Sequence, residues 1–435
     1  MAGILSENLD QAQQYVDDCV HCGFCLDACP TYRLWAQEAD SPRGRIVLIA
    51  DAVRAGGEIS EEAATHIDTC LGCLSCVTAC PSGVRYDRLL ELARPEVERR
   101  HERSGAERAL RLLLFETLPY PRRMRALAPL LSASHRLGAE RRLPERLAAL
   151  LQVAPRPPSR QELRAQVPEH TPARGAVRGR VGLLLGCVQR VFFSSVHRAT
   201  VEVLAAEGYE VLAPRLPDCC GALEFHSGEL EPAVARARAT VAAFGRLGQL
   251  DHVITNSAGC GSAMKAYGEL LGTSEAREFA GRVRDITEVL AEAPPRAPRA
   301  PLPLRVVYHD ACHLRHAQGI RDEPRAMLRA IPELELLEVP LEPEICCGSA
   351  GIYNLVAPEP AAALGRRKAK LVLSTGAEAV AAGNPGCAAQ LERHLRELGH
   401  PLPVHHPIEL VWRSIESAQL AGRGTVQPRP APQAS

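Results

Sequence analysis

The chain has 435 residues, 46% of them apolar and 23% charged, with 51 basic side chains against 51 acidic ones. A net charge of zero argues against nucleic acid as the partner, since such binders carry a basic excess, and no run approaches the roughly 18 apolar residues of a membrane span. Met1–Asp10 lacks the basic start and apolar core of a secretory signal, so a cytoplasmic chain, or one bound at a membrane face, is expected. The 16 cysteines sit in a chain long enough to build a core without disulfide staples. They read as metal ligands or redox groups.

Eight of them fall within Cys19–Cys80. They form Cys19-x2-Cys22-x2-Cys25-x3-Cys29-Pro30 and Cys70-x2-Cys73-x2-Cys76-x3-Cys80-Pro81, both matching the iron–sulfur pattern C-x2-C-x2-C-x3-C-P. Two-residue gaps let three thiolates converge on three corners of a cubane, while the longer spacer and the Pro carry the fourth cysteine to the neighbouring cluster. One [4Fe–4S] cluster is therefore assigned to Cys19, Cys22, Cys25 and Cys80, and the other to Cys70, Cys73, Cys76 and Cys29. Zinc, the alternative, needs four ligands and usually a long gap between two Cys pairs, which this doubled pattern does not offer. Adjacent cubanes that each cycle one electron point to electron transfer. Arg45–Ala55 and Glu61–Ile67 read as helices, so residues 1–100 are expected to form a helix-rich two-cluster ferredoxin domain.

Residues 101–178 read as an Arg-rich helical connector. From His101 to Arg180 there are 16 Arg and no Lys against 7 Glu and no Asp, although the whole chain, with 48 Arg and 3 Lys, shares the bias. Leu110–Leu118 and Leu143–Leu151 look helical, with Pro119, Pro121 and Pro144 starting or interrupting them. Around Ala154 the sequence turns rich in Pro and Arg, which suits an extended linker. The segment is either a solvated linker or a docking face for a partner subunit or anionic lipid headgroups.

The remaining eight cysteines form a repeat. Cys187, Cys219-Cys220-Gly221 and Gly259-Cys260 recur as Cys312, Cys346-Cys347-Gly348 and Gly386-Cys387, at offsets of 125, 127, 127 and 127 residues. This indicates a duplicated unit, placed at 179–300 and 301–420, with 421–435 as a disordered tail. Val181–Leu185, Val211–Ala213 and His252–Thr255 read as strands in the first copy, and Leu304–Tyr308, Leu336–Val339 and Ala377–Ala381 in the second. Helical patterns at Val196–Glu207, Pro232–Leu247, Pro360–Leu373 and Ala388–Leu398 alternate with them. Apolar strands alternating with helices imply α/β layers on a largely parallel sheet, so the whole chain is read as an α+β multidomain protein. The cysteines follow the strands, where α/β sheets place their sites.

The order of elements in each copy resembles the repeat of the heterodisulfide reductases and of many electron-transfer subunits. That family ends its repeat in Cys-x-x-Cys, whereas this chain has Ser257 and Asn384 at the first of those positions. Four thiolates per repeat still suffice for one [4Fe–4S] cluster, and Cys187, Cys219, Cys220, Cys260, Cys312, Cys346, Cys347 and Cys387 are the candidate ligands of one or two further clusters. The alternatives are a redox dithiol, or relic cysteines packed as small hydrophobes. A vicinal Cys pair followed by Gly suits a tight turn that presents thiolates. His226, His309, His313 and His316 lie near these sites, where a supporting place behind the ligands, or one at the surface, competes with proton handling. His405-His406 is read as surface.

The wording around these motifs is similar to that of glycolate oxidase iron–sulfur subunits: Cys19-Val20-His21-Cys22-Gly23-Phe24-Cys25, Asp40-Ser41-Pro42-Arg43-Gly44-Arg45-Ile46, Cys80-Pro81-Ser82-Gly83-Val84-Arg85-Tyr86 and Cys346-Cys347-Gly348-Ser349-Ala350-Gly351. The resemblance implies a partner FAD subunit that oxidises glycolate, or D-lactate, to the 2-oxo acid. It also implies electron delivery by this chain to a quinone or other acceptor, with the chain peripherally bound at the inner membrane and not catalytic alone. The absence of a Gly-x-Gly-x-x-Gly loop and of a phosphate loop agrees with electrons arriving from another protein. Subunits of glycerol-3-phosphate and lactate dehydrogenases share this architecture, a heterodisulfide-reductase-like catalytic subunit is a further reading, and an oxygen-sensing regulator is a third class.

Overall fold

The computed structural model describes residues 4–137, 159, 162 and 166–424. The expected helix at Leu143–Leu151, most of the Pro/Arg-rich stretch and residues 425–435 of the expected tail lie outside the described residues. Residues 421–424 of that tail instead complete the helix Pro407–Gly424.

The N-terminal lobe is helical. Its long helices, Pro42–Arg54, Glu61–Asp68 and Tyr86–Arg100, pack with Leu9–Asp17 around Leu5, Ile46, Ile49, Ile67, Leu89 and Val97. Sequence chemistry sets the starts: Ser41 accepts from the Gly44 amide at 2.9 Å with Pro42 in the first turn, and Ser60 caps through the Ala63 amide. Gly44 is required because a Cβ there would lie 1.9 Å from the Glu38 carbonyl oxygen. Both predicted helices are present, the first starting three residues earlier than read.

Helices Gly105–Phe115 and Pro121–Leu137 follow, joined by residues 116–120. Arginines in and just before them serve the interior. Arg103, almost fully buried, bonds Asp68, Glu98 and Glu107 at 2.6–2.9 Å.

The C-terminal region holds two sheets. In chain order the strands are β1 (His170–Thr171), β2 (Gly179–Leu183), β3 (Tyr209–Leu212), β4 (His252–Thr255), β5 (Val283–Asp285), β6 (Leu304–His309), β7 (Leu334–Leu337), β8 (Ala379–Ala382) and β9 (Val404–His405). Spatial order is β1-β3-β2-β4-β5 in one sheet and β7-β6-β8-β9 in the other. Apart from the antiparallel edge strand β1, every pairing is parallel. Strands β3-β2-β4-β5 and β7-β6-β8-β9 thus repeat one winding, the structural counterpart of the cysteine repeat. In register, Val181 faces Val211 and His252, as Val306 faces Leu336 and Ala379.

The six predicted strands are present, β4 with its bounds unchanged and the others shifted or extended by one or two residues. The sequence reading missed β1, β5 and β9, which at two or three residues are too short to carry an alternation signal. The repeats share one core, in which Val181, Leu183, Val203 and Ile286 join Val306, Tyr308, Leu328, Ile408 and Val411. Among the described residues no helix is long and apolar enough to cross a membrane.

Candidate metal centres and the cavity beside them

The two Cys-x-x-Cys-x-x-Cys loops of the N-terminal lobe share one backbone. His21 and Gly23 in the first, and Gly72 and Leu74 in the second, all have left-handed φ, between 54° and 88°. Two of these are not glycine, so the loops hold a conformation that costs about 1–3 kcal/mol per residue. Arg43 braces the first loop, donating to the His21 carbonyl at 3.0 Å and to Glu38 at 2.7 Å. Short helices, Phe24–Ala28 and Ser75–Ala79, then carry Cys29 and Cys80 away from their own loops.

Cys19, Cys22, Cys25 and Cys80 line one small cavity of about 30 Å³, together with Cys76. Cys22 is exposed, and burial raises the Cys25 thiol to about 11. Cys29, Cys73 and Cys76 are buried, with Cys70 half-buried. After burial itself, the charges of Cys73, Cys70, Cys29 and Cys25 raise Cys76, so this thiol lies between the two loops. Cys70 moves the other way. Burial opposes its ionisation, but Arg45 and Arg94 hold it below the ordinary thiol range, aided by the Gly72 amide at 3.4 Å and the Tyr86 hydroxyl at 3.7 Å. The first predicted foursome, with Cys80 supplied by the second loop, thus lines one cavity, and Cys76 of the second foursome lines it too. All are free thiols, so the donor set suits an iron–sulfur cluster.

Arg45 is the group that the motif did not reveal. It is fully buried and donates to the His66 carbonyl at 2.7 Å and to Thr31 and Thr69 at 3.1 and 3.0 Å, with Cys29 Sγ 4.0 Å away. A buried cation needs such partners, and thiolates are among them.

In each repeat the cysteines lie beyond the carboxyl ends of the strands, as expected. Cys187 follows β2, Cys219-Cys220 follows β3 and Cys260 follows β4; Cys312, Cys346-Cys347 and Cys387 repeat this on β6, β7 and β8. Gly221 (φ 79°) and Gly348 (φ 82°) turn the chain sharply after each pair, and their neighbours leave little room for a side chain. The amides of these glycines donate to Cys219 and Cys346 at 3.4 Å. Cys219 Sγ lies 3.4 Å from Cys187 Sγ, and the neighbouring Cys219 and Cys260 thiols, together with burial, raise Cys220. In the second repeat Cys346 meets Cys312 and Cys347, and Cys347 meets Cys387. Each quartet is therefore gathered. His309 joins the second, one of its ring nitrogens lying within 4.8 Å of the Cys347 and Cys387 thiols.

Ser257 and Asn384, where a fifth cysteine was expected, meet each other across the repeats. Ser257 Oγ donates to Asn384 Oδ1 at 3.4 Å, the Gly259 amide to the same oxygen at 3.3 Å, and the Ala258 amide to the Gly383 carbonyl at 3.1 Å. Equivalent positions of the two repeats, 127 residues apart, are thus in direct contact.

The histidines are mostly internal. His316 bonds Ser75 Oγ at 3.0 Å and Thr78 Oγ1 at 2.7 Å, and His313 bonds the Gly72 carbonyl at 2.9 Å, fastening the second repeat to the N-terminal lobe. His226 packs edge-on to His313 with ring centroids 4.6 Å apart. His405 is half-buried and His406 is buried, its ring lowered to about 3 mainly by burial. The surface reading is corrected for His406, whose ring is buried beside the Asn256 backbone and His197 of the first repeat. Fastening also brings Cys312 close enough to Cys73 for its charge to raise that thiol, after burial.

Both quartets open on one cavity of about 430 Å³. Apolar side chains of residues 114–131, Leu114, Leu118, Met124, Leu127 and Leu131, line it as well.

Comparison with known proteins places these features. The family described as "4Fe-4S dicluster domain" matches residues 15–84, and that described as "Cysteine-rich domain" matches 181–265 and 306–392. The chain is 34% identical over 411 residues to a probable glycolate oxidase iron-sulfur subunit of Bacillus subtilis, covering 90% of this chain and 91% of that protein. It is 33% identical over 420 residues to the glycolate oxidase iron-sulfur subunit of Escherichia coli, covering 93% and 96%. Lactate utilization protein A of Oceanobacillus iheyensis is 28% identical over 238 residues, 53% of this chain and 96% of that protein. With its dicluster lobe, its duplicated α/β cysteine-rich region and relatives matched nearly end to end, this chain belongs to the family of glycolate-oxidase-type iron–sulfur electron-transfer subunits.

Proposed function

We propose that this chain accepts electrons from a partner FAD subunit that oxidises glycolate, or D-lactate, and delivers them to a quinone at the inner membrane, to which it binds peripherally. The observation that carries this is a continuous file of thiol groups. It starts at exposed Cys22, which shares a cavity with buried Cys76, continues to half-buried Cys70 and buried Cys29 and Cys73, and ends at Cys312, whose charge acts on Cys73. In this reading Cys19, Cys22, Cys25 and Cys80 hold one [4Fe–4S] cluster and Cys70, Cys73, Cys76 and Cys29 a second. Cys187, Cys219, Cys220 and Cys260, and Cys312, Cys346, Cys347 and Cys387, are the ligand sets of one or two more. Bound clusters supply one-electron chemistry. The chain's own part is to exclude water around the inner thiols, to set a positive charge beside them through Arg45 and Arg94, and to hold the second repeat against the lobe through His313 and His316.

The test is co-purification with candidate flavin subunits under anaerobic conditions, followed by iron and sulfide analysis and spectra taken on adding glycolate. Glycolate should bleach the iron–sulfur absorption faster than glycerol 3-phosphate or L-lactate does. Equal rates would remove the substrate assignment. The variant Cys22→Ser should lose iron and stop dye reduction beyond the flavin, and full iron content with full transfer would remove the outer ligand set.

A further inference from the structure

In a parallel sheet, neighbouring strands deliver the loops at their carboxyl ends to one place. In the second repeat β6 lies between β7 and β8, and groups from beyond all of these strands meet. They are His309 at the last position of β6, Cys347 after β7, and Cys387 in the first turn of the helix Pro385–Glu397 after β8. One ring nitrogen of His309 and the two sulfurs lie within 4.8 Å of one another, and all of these residues are buried. Both His309 nitrogens are enclosed without a hydrogen-bond partner, in a residue only 1% exposed.

Such a ring is costly to bury unless something binds it. Asp310, next to it in the chain, is taken up by Arg315 and Arg325. The first repeat has no counterpart of this ring. Counting back by the 125 residues that relate Cys312 to Cys187, His309 corresponds to Leu184, which belongs to an apolar cluster with Cys220. One copy thus fills this position with hydrocarbon. The other fills it with imidazole, the commonest metal-binding side chain, and turns it toward two thiols.

We infer that His309 is a nitrogen ligand of a metal centre in the second repeat, alongside Cys347 and Cys387, so that the two repeats hold unlike centres. The inference deepens the proposed function and rests on it only for making that centre part of an electron path. Imidazole is neutral where thiolate is negative, and exchanging thiolate for imidazole raises the potential of an iron–sulfur centre. The second centre then holds electrons more readily than an all-thiolate centre in the first. A single ion such as zinc takes the same donors, and the test separates the two.

The test uses the full chain, purified anaerobically after labelling with heavy-nitrogen histidine, with iron, zinc and sulfide measured per chain. His309→Leu, which installs the side chain of the first repeat, should lose the metal of the second: about four irons for a cluster, or about one zinc for a single ion. Nitrogen bound to a cluster is read by pulsed electron paramagnetic resonance of the reduced protein, and nitrogen bound to zinc by X-ray absorption. The wild type should show a directly bound histidine nitrogen. His309→Cys, which offers a thiolate instead, should keep the metal, lose that nitrogen and, for a cluster, titrate at a more negative potential. His400→Gln, at an exposed position, should leave these readings unchanged. A wild type with no bound nitrogen, or only the weak coupling of an N–H donated to a ligating thiolate, overturns the inference. A nitrogen signal that survives in His309→Cys does the same. Reduction by glycolate with no nitrogen-bound metal would sink this ligand but leave the electron-input reading standing. Nitrogen-bound metal with no response to glycolate would do the reverse.

Discussion

The two Cys-Cys-Gly sites descend from one unit, wind their strands in one order and gather their thiols alike, yet their surroundings differ. The first rests on the Arg236–Glu224 ion pair, in which burial and the Cys219 thiolate raise Glu224 to about 7. The second has His309 beside its thiols, a buried Arg325–Asp310 pair at 2.8–3.0 Å, and the second cysteine loop of the N-terminal lobe held through His313 and His316. The first meets that lobe instead at the helix Tyr86–Arg100, where Arg94 donates to the His226 carbonyl. A symmetric scaffold has thus acquired a polarity from its neighbours. The second site faces the ferredoxin thiols, and the first is joined to it across the cavity.

The sharpest way to test this asymmetry is at the paired glycines. A Cβ on Gly348 would lie 2.4 Å from the Ala361 carbonyl oxygen, whereas on Gly221 its nearest neighbour is Arg236 Cβ at 3.1 Å. Both positions have left-handed φ. Gly348→Ala should therefore cost about 3 kcal/mol or more and Gly221→Ala about 1–2 kcal/mol, read as denaturant midpoints. Equal costs would mean that the two turns are packed alike.

The docking of the second repeat comes next. His316→Ala removes bonds to Ser75 and Thr78 and leaves both hydroxyls without that partner, at a cost of about 1–3 kcal/mol. Amide exchange should speed up in residues 72–79 and not around Cys219-Cys220. Uniform or absent acceleration would show that the lobes are held by other contacts.

Acid should loosen the repeats through histidines held neutral. Burial is the chief cause that lowers His197 and His406 to about 3 and His316 to about 4. Their contribution is complete above the unfolded value near 6.5 and declines as the pH falls toward the folded values. At pH 5 each should cost about 1–2 kcal/mol, seen as a lower thermal midpoint than at pH 7.5. A midpoint unchanged by acid would contradict the burial of these rings.

The smallest effect is expected inside the N-terminal lobe. Arg45→Met removes a positive charge beside Cys29 and Cys70, worth about 1–2 kcal/mol at an effective dielectric near 20. That corresponds to a reduction potential more negative by on the order of 50–100 mV, measurable by redox titration. A shift to more positive values would show that Arg45 acts on something other than these thiols.

Local spacing made much of this readable. The Cys-x-x-Cys runs carry their own turn geometry, and the 127-residue offset announced the duplicated winding. Contacts between distant segments were not readable: His316 and Thr78 are 238 positions apart, and nothing near either residue signals the other. Arg45 sits in a helix as any surface arginine would, and only the assembled lobe shows it enclosed. Ser257 and Asn384 read as lost ligands until the fold placed them against each other.

The file of cysteines also grades the protein's vulnerability to air. Cys22 meets solvent while Cys29, Cys73 and Cys76 are sealed, and attack on sulfur follows exposure as well as ionisation. Damage should therefore advance inward from the rim, and a sample left under oxygen should shed its iron in stages, the outermost portion first.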